Sequence, residues 1–343
     1  MCYNSMNKNK LFYMRKIETI IVGLPVRNEE KSLYNNLESI RDAILISNES
    51  DIKLIICING CTDSSEVIAK KFKKNYPDVG CEIIKSDEGV VNAQRKIVKS
   101  YKADTYVFSD SDSIIDKHSI KLLLQALRLN PNLIVAYAKT KALYDQKNKS
   151  LFYKIGLLYD SQKLLTKRYY FHGRLFATTE WFMPADTDVL KRAEYNKKNF
   201  VLLKYCKNGT LLVADDILMS SYFMHKYGLK SIKQIDNATC YSWSVGSLED
   251  WFNIYRRRNI EMEKMYRWFP EYNYLKPYLN RRTDWKKWLG AKLGDKIFWT
   301  IFLLMRGAFA ILFSSELFLI NLYFYQPRKQ WRVTTTTKKS FYE

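Results

Sequence analysis

The sequence predicts an α/β protein with a doubly wound, mostly parallel sheet and a helical C-terminal extension. Three observations carry this. Short apolar, β-prone runs alternate with stretches of helical periodicity between residues 19 and 137. The chain has 343 residues, 47% of them hydrophobic, which suffices for a large core. After about residue 246 the pattern changes to a basic helical stretch and then a long apolar one. The expected organisation is a basic tail over 1–16, an α/β domain over 17–245, and a basic, apolar helical region over 246–343.

The elements follow in order. Residues 19–24 (TIIVGL) read as a buried strand, and Leu33, Leu37, Ile40 and Ile44 mark a helix after it. Residues 52–58 (IKLIICI) are a second strand. Asp63-Ser64-Ser65-Glu66 has the form of a capping box, with Val67, Ile68 and Phe72 giving the next helix its apolar face. Residues 81–84 are a third strand and 90–101 a third helix. Thr105-Tyr106-Val107 begins a fourth strand. Ile120, Leu123, Leu124 and Leu127 mark a fourth helix, stopped by Asn130-Pro131. Residues 133–137 are a fifth strand, 139–200 are less regular, 211–227 read as a helix, 231–243 as extended, and 248–268 as a basic helix. No internal repeat is visible.

The net charge is +21, from 56 basic and 35 acidic residues. This bears on partners rather than fold, and admits nucleic acid, an anionic membrane surface or phosphorylated substrates. The six cysteines form no CxxC pair, and Cys57 and Cys81 lie inside apolar runs, a pattern that fits a reducing cytosol. The N-terminal residues lack an apolar core of signal-peptide length, so a cytoplasmic location is expected.

In a doubly wound sheet, ligands lie beyond the carboxyl ends of the strands. Four polar segments meet that condition, and an acidic pair at the start of a helix joins them as a fifth candidate. Pro25, Arg27, Asn28 and Glu29 follow the first strand; Pro25 stiffens the exit, Arg27 suits a base or phosphate, and Asn28 can cap the next helix. Asn59-Gly60-Cys61-Thr62-Asp63 follows the second, where Asp63 can cap a helix, contact a ribose, or do both. Arg95 stands two turns into the third helix, within reach of a diphosphate. Asp110-Ser111-Asp112 ends the fourth strand; two carboxylates there can share a hard cation such as Mg²⁺ or Mn²⁺, or make a solvated, capping turn. Asp215-Asp216 opens a helix, where the dipole favours acids whatever their role, and where one carboxylate can act as a general base.

Taken together, LPVRNEE at 24–30, NGCTDSS at 59–65, EGVVNAQR at 88–95, SDSD at 109–112 and ADD at 214–216 resemble a family 2 glycosyltransferase of the GT-A fold, over about residues 17–260. The resemblance implies that residues 17–245 are a GT-A catalytic domain that binds a nucleotide-diphosphate sugar. Pro25, Arg27, Glu29, Asn59 and Asp63 would contact base and ribose, and Arg95 the base and diphosphate. Asp112 would bind Mn²⁺ or Mg²⁺, with Asp110 and Ser111 supporting the nucleotide and Asp110 also near the metal. Asp216 would be the general base of an inverting transfer to an acceptor hydroxyl. Trp181, Asp215 and Arg258 would lie on the acceptor side, and the acceptor would be a glycan or a lipid-linked molecule of bacterial-type surface glycan or glycolipid synthesis. There are departures. The usual DDGSTD reads INGCTD here, so Ile58 and Asn59 replace two carboxylates. A QxxRW signature is absent, with only Arg258 matching, so processive synthesis is not expected.

Residues 297–325 are long enough to span a bilayer, but Arg306 and Glu316 interrupt them, and basic residues flank them. A helical pair in the membrane interface, or packed on the catalytic domain, fits better than a clean span. The expected enzyme is therefore peripheral on the cytoplasmic membrane face. Three rival functions compete with this one. A sugar nucleotidyltransferase would share the general fold, but it needs a Gly-rich, Arg/Lys-containing first loop that GLPVRNEE does not supply. A HAD-like phosphatase would use Asp110 as nucleophile, but that family puts its DxD on the first strand. A basic nucleic-acid-binding protein is allowed by the charge, yet no such motif is visible, so nucleic acid is not an expected partner.

Overall fold

The computed structural model describes residues 14–143, 154, 165–195, 215–280 and 282–321. The first half alternates as expected: β1 (Ile20–Val26), α1 (Leu33–Ser47), β2 (Ile52–Asn59), α2 (Ser65–Asn75), β3 (Cys81–Ser86), α3 (Val90–Ser100) and β4 (Thr105–Ser109). These strands lie side by side in the order β3-β2-β1-β4, all parallel, with Ile20 opposite both Ile52 and Thr105. Burial on both faces explains why β1 and β2 read as continuous apolar runs. Gly23 is required by packing. A Cβ there would lie 2.6 Å from the Phe108 ring and 3.1 Å from Ile97.

The second half is mixed. After β4 come β5 (Ile114–Ile115), α4 (Ser119–Leu129) and β6 (Val135–Leu143). The fifth strand expected at 133–137 is the start of β6, which does not pair with β4. Between them runs β8 (Leu175–Thr178), antiparallel to both. It falls within the stretch read as irregular, because four buried residues are too few to show a period. β9 (Ile232–Trp243) pairs parallel with β6, with a register break at Ala138/Lys139, and β5 closes that edge. A small ribbon joins β7 (Thr166–Lys167) to β10 (Arg282–Thr283).

The later helices are α5 (Asp186–Tyr195), α6 (Asp215–Tyr227), α7 (Leu248–Trp268), α8 (Lys276–Leu279), α9 (Trp285–Gly290) and α10 (Leu293–Asn321). Helix α6 matches the helix expected at 211–227 from residue 215 on, and residues 211–214 lie outside the described residues, as do 1–13 of the basic tail. Cys57, Cys61 and Cys81 are free thiols.

Successive strand residues face two cores. Val22, Leu24, Ile56 and Val107 meet Leu37, Ile40, Phe72 and Leu123 on one side. Ile21, Ile55 and Phe108 meet Ile97, Phe223, Met265 and Trp268 on the other. Helix α7 is therefore built into the sheet's core through Met262, Met265 and Trp268.

The apolar C-terminal stretch forms one continuous helix of 29 residues, not the expected pair. Trp299, Phe302, Phe309 and Phe313 are buried. Their spacing places them on one stripe with Arg306 and Glu316. Both charges thus face the protein. Glu316 accepts from Arg256 of α7 at 2.7 and 2.9 Å, with Arg256 only 2% exposed. The Arg306 guanidinium lies 5.8 Å from the Phe302 ring centre and 6.0 Å from that of Tyr255. Elsewhere along the helix Ile297, Leu304, Ile311, Leu312 and Phe318 stay exposed.

Candidate active site at the carboxyl edge of the sheet

The loops after β1, β2 and β3 are bound to one another. Arg27 pairs with Glu88 at 2.5 Å, joining the first and third. Asn28 adopts φ +53°, a left-handed conformation that Asn tolerates. Its Nδ2 donates to Thr62 Oγ1 (3.2 Å), and its Oδ1 accepts from the Thr62 N–H (2.8 Å). Asn28 is therefore a clasp between loops rather than the cap of α1. That position belongs to Ser32, whose hydroxyl donates to the Glu29 carboxylate at 3.0 Å. Glu29 is buried, with its N–H on Ser65 Oγ at 2.8 Å.

Asp63 accepts from the N–H groups of Glu30 (3.1 Å) and Ser65 (3.0 Å). Burial pushes its carboxyl up, but the hydrogen bonds from Ser65 and Glu30 outweigh this and hold it below the usual range. The expected capping box does not form: Asp63 accepts from the Ser65 N–H rather than that of Glu66, and Glu66 turns to Lys70 and Lys85. Asn59 is buried and accepts from the Gly89 N–H at 3.0 Å, fixing the start of α3 to the end of β2. Pro25 stands opposite Cys57 near the end of β1.

The acidic residues converge from one loop and a helix start. Asp110 and Asp112 lie in the turn after β4. Asn36 of α1 donates to the carbonyls of Asp110 (3.1 Å) and Ser113, and Ser32 donates to the Ser111 carbonyl (3.3 Å). The Asp110 N–H donates to the Arg174 carbonyl at 2.9 Å, and the Arg174 guanidinium lies 3.7 Å from Asp112. Asp215 and Asp216 open α6. Gln94 of α3 donates to Asp215 and accepts from the Trp181 indole at 3.0 Å. Gly173 sits against the pair: a Cβ there would lie 3.6 Å from Asp215 Oδ1. It lies against Asp216 as well, and its N–H helps to hold that carboxyl down.

The electrostatics follow from this crowding. Burial, then the charge of Asp112, pushes Asp110 up to about 7; Arg174 opposes, while Asp215 and Asp216 add to the rise. Burial and Asp216 likewise push Asp215 up to about 7, against the Gln94 hydrogen bond. Asp216 is raised by burial, and is restrained by Arg168, the N–H groups of Gly173 and Ile217, and Arg258. The Arg168 and Arg258 guanidiniums lie 4.4 and 5.3 Å from the ring centre of buried Tyr170. Among the described residues no three His, Cys, Asp or Glu side chains form a metal cage by themselves.

Of the residues singled out in the sequence, Asp110, Ser111, Asp112, Asp215 and Asp216 come together, and Trp181 joins them through Gln94. Arg95 is turned to the loop before α5, donating to the Pro184 carbonyl (3.0 Å) and to Asp186 (3.4 Å). Sequence reasoning assigned no role to Asn36, Gln94 or Arg168. Gln94 stands inside a motif segment, EGVVNAQR at 88–95. Asn36 is a fully buried polar residue beside Leu33, Leu37 and Ile40 on α1, which is a legible signal. Arg168 has no sequence signal.

Residues 21–199 match the family described as Glycosyl transferase family 2. No curated protein sequence matches. Among solved structures, a mannosyltransferase from Pyrobaculum calidifontis in complex with GDP-Man and Mn²⁺ is similar at a TM-score of 0.48 and 14% identity, over 91% of this chain and 82% of that one. Glucosyl-3-phosphoglycerate synthase from Mycobacterium tuberculosis in complex with Mn²⁺, UDP and glucosyl-3-phosphoglycerate is similar at 0.46 and 16%, over 73% and 79%. The same synthase with Mg²⁺ and UDP is similar at 0.43 and 15%, over 73% and 78%.

Proposed function

The chain belongs to glycosyl transferase family 2 and is a nucleotide-sugar glycosyltransferase; on that premise we propose that it transfers the sugar with inversion, using Asp216 as general base. The observation that carries this reading is the gathering of Asp110, Asp112, Asp215 and Asp216 at one end of the sheet, with Asp216 between a backbone N–H and two arginines.

The donor lies across the ends of β1, β2 and β4. Pro25, Arg27, Asn28, Glu29, Asn59 and Asp63 form the base and ribose side, with Ser111 and Arg95 nearer the diphosphate. The hydrogen bonds among these loops make that side rigid before anything binds, which lowers the ordering cost of binding. Asp112, with Asp110, fits a hard divalent cation, since two crowded carboxylates that repel one another gain from one. Mn²⁺ or Mg²⁺ there would neutralise charge that develops on the leaving diphosphate. Asp216 takes the proton from the acceptor hydroxyl as that oxygen attacks the anomeric carbon from the face opposite the diphosphate. Gln94 keeps Asp215 and Trp181 in one arrangement beside it. Arg258 lies on the acceptor side.

Residues 17–245 make the catalytic unit, and residues from 246 on make its acceptor-side and membrane-side extension. The enzyme sits peripherally on the cytoplasmic membrane face, with the exposed apolar side of α10 in the interface and Lys286, Lys287, Lys292 and Lys296 near anionic lipid. The acceptor is a glycan or lipid-linked hydroxyl compound of surface-glycan or glycolipid synthesis.

The test is thermal stability with a panel of nucleoside diphosphates and their sugars, with and without Mn²⁺. One nucleotide should raise the melting temperature in a metal-dependent way, and Asp112→Ala should abolish the rise. No response to any nucleotide would overturn the reading.

A further inference from the structure

Beyond the acids, the same end of the molecule holds a group of arginines that the transfer chemistry does not require. Arg168 follows β7, Arg258 comes from α7 and Arg306 from α10. Arg168 and Arg258 share the Tyr170 ring, at 4.4 and 5.3 Å from its centre. Arg306 feels both Arg258 and Tyr170. Among the described residues none of the three has a carboxylate within 4.0 Å, although carboxylates hold Arg27, Arg41, Arg95, Arg128, Arg192 and Arg256.

Two buried polar atoms of this group also lack a hydrogen-bond partner among the described residues. Arg168 donates to the Tyr170 hydroxyl at 3.3 Å, but among the described residues its buried Nε has no partner. Arg258 donates to the Leu279 carbonyl at 3.1 Å. The Tyr266 hydroxyl, close enough to interact with Arg258 and Tyr170, is likewise buried with no partner among the described residues. Gathering three half-buried guanidiniums with no carboxylate within 4.0 Å among the described residues is unfavourable, and buried donors left unmade are costly. Burial and Arg258 both push Arg306 below its ordinary pKa. The charge of Asp216 answers only part of this excess.

We propose that the acceptor carries a phosphate or diphosphate group, seated among Arg168, Arg258, Arg306 and the Tyr266 hydroxyl beside Asp216. Planar guanidiniums suit the geometry of phosphate oxygens, and such charge-assisted bonds are about twice as strong as neutral ones. The proposal rests on the transferase reading and deepens it by naming the acceptor's chemistry. The phosphate is either that of a soluble phosphorylated sugar or alcohol or that of a lipid headgroup. Arg306 belongs to the helix with the exposed apolar side, so a lipid carrier can reach the site.

The experiment holds the full-length protein saturated with Mn²⁺ and the nucleoside diphosphate that stabilises it, so that the donor site is filled. Inorganic phosphate and octyl phosphate are then titrated calorimetrically. Binding of at least one is expected, weakened about tenfold or more in Arg168→Ala and Arg258→Ala, the loss expected for one charge-assisted bond. It should be unchanged in Arg267→Ala, an exposed residue paired with Glu263. Tyr266→Phe removes only the hydroxyl and keeps the ring's packing, so the variant should fold as wild type does. It should weaken binding about tenfold too. A soluble acceptor predicts comparable binding of both probes, and a lipid acceptor predicts a strong preference for octyl phosphate. No binding of either probe, or equal binding by wild type and all three site variants, overturns the proposal. Nucleotide binding lost in Asp112→Ala tests the transferase reading separately, because none of these arginines belongs to the donor side.

Discussion

Asp216→Asn isolates the proposed base with little change in shape. The amide oxygen can still accept from the Gly173 N–H, and the side-chain volume hardly alters. What disappears is the proton acceptor. A positioned general base contributes about 10²- to 10⁴-fold, equivalent to about 2.7–5.5 kcal/mol of barrier. The turnover number should fall by that factor while the donor dissociation constant stays within about threefold of wild type, because the donor-side loops are tied to one another and not to Asp216. The pH profile adds a second test. Burial, opposed by Arg168 and the Gly173 N–H, holds the Asp216 carboxyl above its usual value of 3.8. The base works only when ionised, so wild-type turnover should fall on acidification along a limb that lies above the ordinary carboxylate range, and Asp216→Asn should lack that limb. The assay is initial rates of nucleoside diphosphate release over a pH series, with saturating donor. Near-normal turnover in the variant, with the acid limb intact, would refute the assignment and move the search to Asp215.

Gln94→Ala leaves both the Trp181 indole and the Asp215 carboxyl without their shared partner, and should destabilise the fold by about 1–3 kcal/mol in denaturant unfolding. An unchanged midpoint would mean that the link contributes nothing. Arg256→Met strands Glu316, only 11% exposed, and should cost about 3–5 kcal/mol, whereas Arg256→Met with Glu316→Leu should return most of the loss. Strictly additive losses would show that the pair is not coupled. Leu304→Asp with Ile311→Asp, both on exposed positions of α10, should weaken sedimentation with anionic vesicles by about tenfold or more without altering nucleotide binding. Equal sedimentation of wild type and variant would remove the membrane from the account.

The parallel half of the sheet was legible because β1, β2 and β4 are buried on both faces and each helix carries one apolar stripe, so the period changes at their boundaries. The antiparallel insertion of β8 was not, because its four residues acquire their meaning only from β4 and β6 beside them, which are distant in sequence. The acids were legible for a different reason. Asp110, Asp112, Asp215 and Asp216 sit at element boundaries, and polar residues next to buried runs stand out. Their partners were harder to see. Gln94 lies in the middle of a helix and Arg168 in a stretch without periodicity, and each matters through a contact made across the fold. The charges of α10 were readable in principle. Arg306 and Glu316 fall on the spacing of Trp299, Phe302, Phe309 and Phe313, which marks them as facing protein rather than lipid.

The two charge clusters bear on each other. Four carboxyls held close out of water repel one another, which adds to burial in pushing Asp110 and Asp215 up to about 7. Among the arginines, burial and the charge of Arg258 push Arg306 in the opposite sense. Neither arrangement is favourable alone, and a fold selected only for stability would replace both with apolar side chains. Asp216 stands where they meet, raised by the burial it shares with the acids and lowered by Arg168 and Arg258. On the proposed reading each cluster is completed by its substrate: the acids by a cation carrying the donor diphosphate, the arginines by an anionic acceptor. Binding both substrates would relieve repulsion on both sides of Asp216 at once. The stabilisation by nucleotide and metal together with octyl phosphate should then exceed the sum of the two measured separately, and a purely additive melting-temperature shift would show that the clusters do not communicate through Asp216.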